Sequence, residues 1–356
     1  MTTLLITGGA GFIGSHTCLV LLEAGYRLVV IDNFVNSSPE SLRRVAELAG
    51  PDAADRLTVT KGDIRQAIDL ERAFDAAPAS HPIEAVLHFA GLKAVGESVL
   101  QPLRYWDVNL GGSRQLLAVM QARGCRTLVF SSSATLYGMP ELVPIPESAP
   151  IRPINPYGTS KAAVEQLLAD LAESETGWRI ARLRYFNPVG AHPSGRLGED
   201  PSGIPNNLFP FLSQVAVGRR MHLQVFGGDW PTIDGSGVRD YIHIMDLAEG
   251  HQAALDTLLA EAPQVLSVNL GSGQGHSVLE VVAAFEAAAG VAVPYKIVAR
   301  RPGDAATSIA DPSMAAARLG WRTKRSLADI CRDGWAWQQA NPNGYNNVRF
   351  APGDLP

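Results

Sequence analysis

The sequence predicts an α/β fold: a doubly wound parallel sheet with a smaller C-terminal α/β portion. Three observations predict it. Short, nearly continuous apolar runs alternate with helix-period stretches through the first half, the pattern of strands buried on both faces by helices. A glycine-rich turn, Gly8 to Gly14, lies between the first apolar run and the first helix pattern. From Asn187 onward Gly, Pro and Asn become frequent and the helix patterns shorten. At 356 residues the chain suits one large domain plus a smaller one. The division predicted is 1–186 and 187–356, with about 240–270 returning to the large sheet.

The elements follow in order. Thr3–Thr7 is a strand, followed by a helix to about Ala24 and a strand Leu28–Ile31. Gly8, Gly11 and Gly14 show a G-x-x-G-x-x-G spacing. Such a turn lets backbone approach a pyrophosphate at a helix N-terminus, where free N–H groups and the dipole favour anions. Asp32 ends the next strand, 18 residues past Gly14. A carboxylate there accepts from an adenosine ribose 2′-hydroxyl and repels a 2′-phosphate, which favours NAD over NADP. Further strands are Leu57–Val59 before Gly62-Asp63-Ile64, Ala85–Phe89 before Ala90–Lys93, Thr127–Phe130 before Ser131-Ser132-Ser133, and Arg179–Arg184. A helix is predicted over Leu103–Arg123. In the second half Asp246–Leu259, Ser277–Ala289 and Leu327–Gln339 read as helices, and Val265–Leu270 and Pro294–Val298 as strands. Ligands of such sheets bind at the carboxyl ends of the strands. Gly8, Asp32, Asp63, Lys93, Ser133 and Asn187 all fall there.

The stretch Pro156–Lys161 carries the chemistry. Tyr157 and Lys161 are four apart, which on a helix puts them on one face, roughly 5–6 Å apart. Val164, Leu167, Leu168 and Leu171 continue an apolar stripe. A tyrosinate at neutral pH needs its pKa to fall by about 3 pH units, about 4 kcal/mol. One cation about 5 Å away contributes roughly 3 kcal/mol at an effective dielectric of about 20. The pair alone nearly suffices, and a second cation such as an oxidised nicotinamide would supply the rest. In isolation the same spacing also describes an ordinary surface pair.

Composition bounds the partners. Net charge is −5 with 18% charged and 46% hydrophobic residues, a soluble globular profile that argues against nucleic acid or an anionic membrane surface. Three cysteines, Cys18, Cys125 and Cys331, lack C-x-x-C spacing; they fit reduced cytosolic thiols and no metal site. Residues 1–22 hold no Asp, Glu, Lys or Arg. There is no basic n-region, and glycines interrupt the apolar run, so a signal peptide is not read there. A cytoplasmic protein is the expectation.

Longer motifs narrow the reading. They are Thr7-Gly8-Gly9-Ala10-Gly11-Phe12-Ile13-Gly14, His88 to Ser98, Ser131 to Gly138, Arg184 to Gly195, Glu199-Asp200-Pro201 and Gly203 to Leu208. With Tyr-x-x-x-Lys, these resemble the UDP-glucose 4-epimerase family of the extended short-chain dehydrogenase/reductase superfamily, from about residue 3 to about 345. The resemblance implies reversible epimerisation at C4 of UDP-hexoses through a transient 4-keto sugar with tightly bound NAD. Tyr157 would be the base, Lys161 would lower its pKa and hold the nicotinamide ribose, and Ser133 would bond the reacting oxygen. The NAD site would comprise Gly8, Gly11, Phe12, Ile13, Gly14, Asp32, Asn33, Phe34, Val35, Asn36, Ser37, Asp63, Ile64, Phe89, Ala90, Gly91, Leu92, Lys93 and Phe186 beside the catalytic residues. Some family members carry Asn at the position of Val108; the contact is assigned here to Asn109.

A net-acidic protein must neutralise a nucleoside diphosphate locally, and Arg forks suit phosphate. By resemblance Arg239 and Arg301 would hold the pyrophosphate and Asp304 a uridine ribose hydroxyl. Lys93, Asn187, Asn207, Leu208, Gln224, Val225 and Phe226 would contact the rest. Ser308 is small where some members carry Tyr, which implies that UDP-GlcNAc and UDP-GalNAc are also interconverted. His16, His192 and His243 are read as structural. Helices Leu103–Arg123 and Tyr157–Ala172 would pair with their copies in a homodimer; a buried intramolecular face explains their stripe equally well. Three alternatives remain: a 4,6-dehydratase, disfavoured because Ala134-Thr135 follow Ser133 with no carboxylate; a sugar-nucleotide reductase; and a non-catalytic NAD-sensing protein of the same fold.

Overall fold

Seven parallel strands frame a computed structural model that describes residues 1–201, 205, 207–301 and 303–345. In chain order the strands are β1 Thr3–Thr7, β2 Arg27–Asp32, β3 Leu57–Lys61, β4 Ile83–His88, β5 Thr127–Ser133, β6 Arg179–Tyr185, β7 Asn187–Val189, β8 Leu223–Phe226, β9 Val238–His243, β10 Gln264–Leu270, β11 Gly275–Ser277, β12 Tyr295–Val298 and β13 Thr307–Ser308. The large sheet runs β10-β6-β5-β4-β1-β2-β3. Its order reverses between β1 and β4, which opens a crevice at their carboxyl ends.

Alternation along each strand builds two cores. Leu4, Ile6, Val30, Leu87 and Leu183 pack on one face with the helices Phe12–Glu23 and Ile244–Ala260. Leu5, Val29, Ile31, Val86 and Phe130 pack on the other with Gly112–Ala122 and Pro156–Ser174. The stripe on the last helix is used here: Val164 and Leu168 are fully buried, and Leu167 and Leu171 pack partly buried beside them. β10 pairs with β6 from Gln264↔Arg179 to Leu270↔Tyr185, so the chain returns to the large sheet after β7–β9.

Beyond Asn187 a third core gathers Val189, Phe209, Leu212, Tyr241, Phe285 and Ile330. Its helices Val278–Ala289 and Leu327–Ala340 each start with a capping box, Ser277 with Glu280 and Ser326 with Asp329. Each box satisfies two otherwise orphan amides at a helix start. β9 pairs with β7, β11 and β13, and β8 pairs with β12.

One predicted element differs. Leu103–Arg123 is a composite: Pro102–Tyr105, a π-helical segment Trp106–Gly111, then Gly112–Ala122. The wider π turn accompanies an inward Asn109, only 2% exposed. A Cβ on Gly112 would lie 2.5 Å from the Ile64 side chain, so any larger residue would require Ile64 to move. π segments of this kind recur at functional sites.

Candidate active site

The helix Pro156–Ser174 starts where β5 ends. Pro156 occupies its first turn, and the Asn155 side chain accepts from the Gly158 amide at 2.8 Å. Proline costs nothing at that position because its missing N–H would have no helical partner. This start sets the Tyr157 phenol beside the Ser133 hydroxyl, which draws the phenol's pKa down. Ser133 Oγ also accepts from Thr135 N at 3.2 Å and Thr135 Oγ1 at 2.9 Å. Lys161 Nζ donates to the Ser131 carbonyl at 2.7 Å and sits over the Phe130 ring at 4.9 Å. The structure therefore brings the three predicted catalytic residues together, all at most 9% exposed.

The electrostatics correct the sequence estimate. Burial pushes the Tyr157 phenol above its ordinary pKa, with the Ser133 hydrogen bond pulling it down. Burial also pushes Lys161 down to about 8, against the field of Glu165. The lysine alone does not nearly suffice, because withdrawing the phenolate from water costs more than a neighbour on the same helix returns.

The dinucleotide cradle passes a steric test. A Cβ on Gly8 would lie 2.6 Å from the Ala90 amide, and one on Gly14 would collide with the Gly8 carbonyl. Gly11 is less enclosed, though a Cβ there would still lie 3.3 Å from the Gly8 carbonyl, a tight contact. It begins the helix without a side-chain cap, so the amides of Phe12, Ile13 and Gly14 are left for an anion. The buried Asp32 carboxylate braces this seat: Oδ2 accepts from Ala10 N at 3.0 Å, and Oδ1 from Phe34 N and Ser37 Oγ at 2.9 Å. Burial raises its pKa while those bonds oppose. Phe34 has φ of 58°, and Asn33 Oδ1 accepts from Val35 N. Val35 is 60% exposed, so its side chain turns to solvent.

Beyond the crevice, Phe89 and Ala90 donate to the Thr7 carbonyl at 3.0 and 3.1 Å. The Arg65 guanidinium holds the Asp63 carboxyl below its usual range. Ile64 is core, and Phe186 packs against Leu136, Tyr137 and Ile145. Asn109 is corrected. Its Oδ1 accepts from Leu92 N at 2.8 Å, and its Nδ2 donates to Leu92 O and Ser160 Oγ. With both polar ends engaged by protein, Asn109 shapes the 89–93 loop rather than reaching a cofactor.

Across the sheet edge the residues predicted for the sugar nucleotide gather. Arg301 donates to both Asp304 oxygens at 3.1 and 3.2 Å and stacks over Phe226 at 5.1 Å. Arg239 approaches Asp304 at 4.0 Å, and Ser308 registers beside it. Asn187 lies on β7 next to Tyr241, and Leu208 begins a helix behind the N-capping Asn207. Gln224 and Phe226 point outward, but Val225 is 1% exposed. Strand alternation sends its side chain into the core, which leaves only its main chain for the predicted contact. Gly203, Ile204 and Asn206 of the quoted motif lie outside the described residues.

A family model described as GDP-mannose 4,6 dehydratase matches residues 5–334. UDP-glucose 4-epimerase of Bacillus subtilis is 54% identical over 345 residues, 97% of this chain and 99% of that one. The mouse UDP-glucose 4-epimerase is 53% identical over 352 residues, again 97% and 99%. The chain belongs to the UDP-glucose 4-epimerase family. A solved Bifidobacterium longum family member in complex with NAD+ and UDP superposes with a TM-score of 0.91 at 49% identity, covering 96% of this chain and 100% of that one.

As an epimerase-family chain it contains positioning residues that sequence reading passed over. Glu199 accepts from Lys93 Nζ and Asn207 Nδ2, both at 2.9 Å, so one carboxylate ties together two predicted substrate contacts from different parts of the chain. Its motif was visible, but its role is a tertiary fact. Trp230 stacks with Arg300 at 4.0 Å beside Phe226. His243 caps the helix Ile244–Ala260 and meets Asp333 at 3.2 Å, while His16 holds the Phe12 carbonyl at 2.7 Å. Among the described residues no group of three or more His, Cys, Asp or Glu could hold a metal ion.

Proposed function

We propose that this chain is an NAD-dependent UDP-glucose 4-epimerase that interconverts UDP-glucose and UDP-galactose by inverting C4′. One observation carries the residue assignment: Tyr157, Lys161 and Ser133 converge at the carboxyl end of β5 beside a braced dinucleotide cradle. Bound NAD would supply a reversible hydride acceptor at C4′ and a positive ring that favours the Tyr157 phenolate. Tyr157 takes the 4′-hydroxyl proton and later returns it. Ser133 holds the reacting oxygen, and Lys161 keeps positive charge beneath the phenolate. Arg239, Arg301 and Asp304 grip the UDP end firmly, so the 4-keto sugar turns about its link and presents its other face. The UDP-sugar portion is 187–356 apart from the return at about 240–270.

The alternatives are less well supported. A dehydratase needs an acid/base pair after Ser133, and Thr135 there is engaged with Ser133 itself. Relatives named UDP-glucose 4-epimerase, rather than reductase, support C4 inversion without net redox change. Purified protein should turn UDP-galactose into UDP-glucose without added cofactor, and denaturation should release NAD. Absence of both would overturn the assignment.

Ser308, small and beside Arg239, supports a wider substrate range that includes UDP-GlcNAc and UDP-GalNAc. Good UDP-galactose turnover with no N-acetyl turnover would reject that extension; Ser308→Tyr should abolish N-acetyl turnover selectively. No helix among the described residues is long and apolar enough to cross a membrane, in keeping with a cytoplasmic enzyme. A homodimer draws support from Val99, Leu100 and Leu103, which are 60%, 82% and 82% exposed beside the catalytic helix. Sizing in solution checks it.

A further inference from the structure

Glu165 has no place in the chemistry above, yet it is more deeply buried than any residue that does. It lies one turn beyond Lys161, as Lys161 lies one turn beyond Tyr157, so the three carboxylate, ammonium and phenol groups share one helix face. Their exposures are 1%, 5% and 9%. Three consecutive serines of β5 serve them: the Ser133 hydroxyl lies beside Tyr157 and favours its anion, the Ser131 carbonyl accepts from Lys161, and Ser132 Oγ donates to Glu165 at 2.5 Å. From the neighbouring strand Arg184, the register partner of Ser132, donates to both Glu165 oxygens at 3.0 and 2.7 Å. A bidentate fork of this kind fixes the position of the carboxylate beside the lysine.

We propose that Glu165 decides which member of the Tyr157–Lys161 pair releases a proton, holding the pair as phenolate and ammonium rather than phenol and amine. This rests on the role given to Tyr157 and Lys161 above. Two coupled groups lose protons in steps that belong to the pair, and a third charge selects between the singly deprotonated forms. Phenolate–ammonium and phenol–amine carry the same total charge. They differ in where it sits, and a fixed anion nearer the lysine favours the form with the lysine charged.

Other groups facing the cluster do not substitute for it. His88 is neutral, its pKa driven by burial to about 3. Tyr185 and Tyr137 are phenols whose pKa burial raises. Arg184 and the half-buried Arg182 add positive charge, which favours the wrong form. Glu97, on a helix packed against Pro156–Ser174, is engaged by Tyr105 and Arg104. Glu147 accepts from the Asn269 amide on the far side of Arg184. Glu165 is the buried carboxylate next to the lysine.

The test is an ultraviolet difference titration of the phenolate, each protein measured against the same protein carrying Tyr157→Phe, with turnover followed in parallel. Wild type lacking UDP-galactose turnover would sink the functional reading before the variants are judged. With an active wild type, Glu165→Gln should lose roughly tenfold of the phenolate that forms near neutral pH, the factor that one pK unit represents. The missing amplitude should return at higher pH. The kcat should fall in parallel with KM little changed, and Glu165→Asp should recover part of both. An unaltered phenolate amplitude with reduced turnover would overturn the proposal and leave Glu165 a packing residue. If Glu165→Gln does not fold, Glu165→Gln with Arg184→Gln leaves no uncompensated ion. That protein should show a smaller loss of phenolate in the same direction, and no loss overturns the idea equally.

Discussion

The two ligand seats are built differently. On the cofactor side, polar groups are buried and held by backbone: Asp32 is 8% exposed and Lys161 5%, bound to main-chain amides and a main-chain carbonyl. On the sugar-nucleotide side, charges pair with one another near solvent, with side-chain exposures of 56% for Arg301 and 44% for Lys93. The first seat is part of the core and forms when the sheet forms. The second is a set of ion pairs that can trade partners with a ligand at little cost, since exposed pairs contribute only about 0–1 kcal/mol. A resident cofactor and an exchanging substrate need this division.

The largest test of the contrast is Tyr157→Phe. It should fold, retain nucleotide and lose on the order of 10²–10⁴ in kcat, measured by turnover and by nucleotide released on denaturation. Lys161→Met should abolish turnover yet stabilise the protein. Burial brings the folded-state pKa to about 8, below the ordinary lysine value of 10.5, so the unfolded chain binds more protons between those values and wild-type stability rises with pH there. The gain from Lys161→Met should be at most about 3 kcal/mol below pH ~8 and shrink toward pH ~10.5. Thermal melts across that window check the sign, and a gain that grows with pH would contradict the burial argument.

Smaller effects probe the second seat. Arg301→Ala should raise KM for the UDP-sugar about tenfold, in line with roughly 1.5–3 kcal/mol for a charged hydrogen bond, with bound cofactor unchanged. A fall in cofactor content would erase the contrast. Glu199→Gln should change KM by no more than about fivefold and leave the melting temperature within error, because its Lys93 partner is 44% exposed and can turn to water. A large loss of stability would show that this seat, too, is core.

Much of the large sheet was readable because its strands are short apolar runs between helix-period stretches, and β1, β5, β6 and β10 fall where that pattern put them. The π segment was not readable. Leu103–Arg123 has ordinary helical periodicity, and its widened turn answers to Leu92, Ser160 and Ile64, all distant in sequence. Val225 shows a related limit: a motif names a strand, but register decides which of its side chains face outward. Glu165 was within the stretch read most closely, and nothing local marks it apart from the lysine one turn before.

Sequence alone determined the alternation of strands and helices, the glycine turn before a helix and the one-face spacing of Tyr157 and Lys161, because each depends on neighbours within a few residues. Tertiary structure decided the phenol's protonation balance, the engagement of Asn109 and the pairing of Glu165 with Arg184. Those depend on burial and on partners brought from other strands, and desolvation is a property of the folded surroundings rather than of any segment.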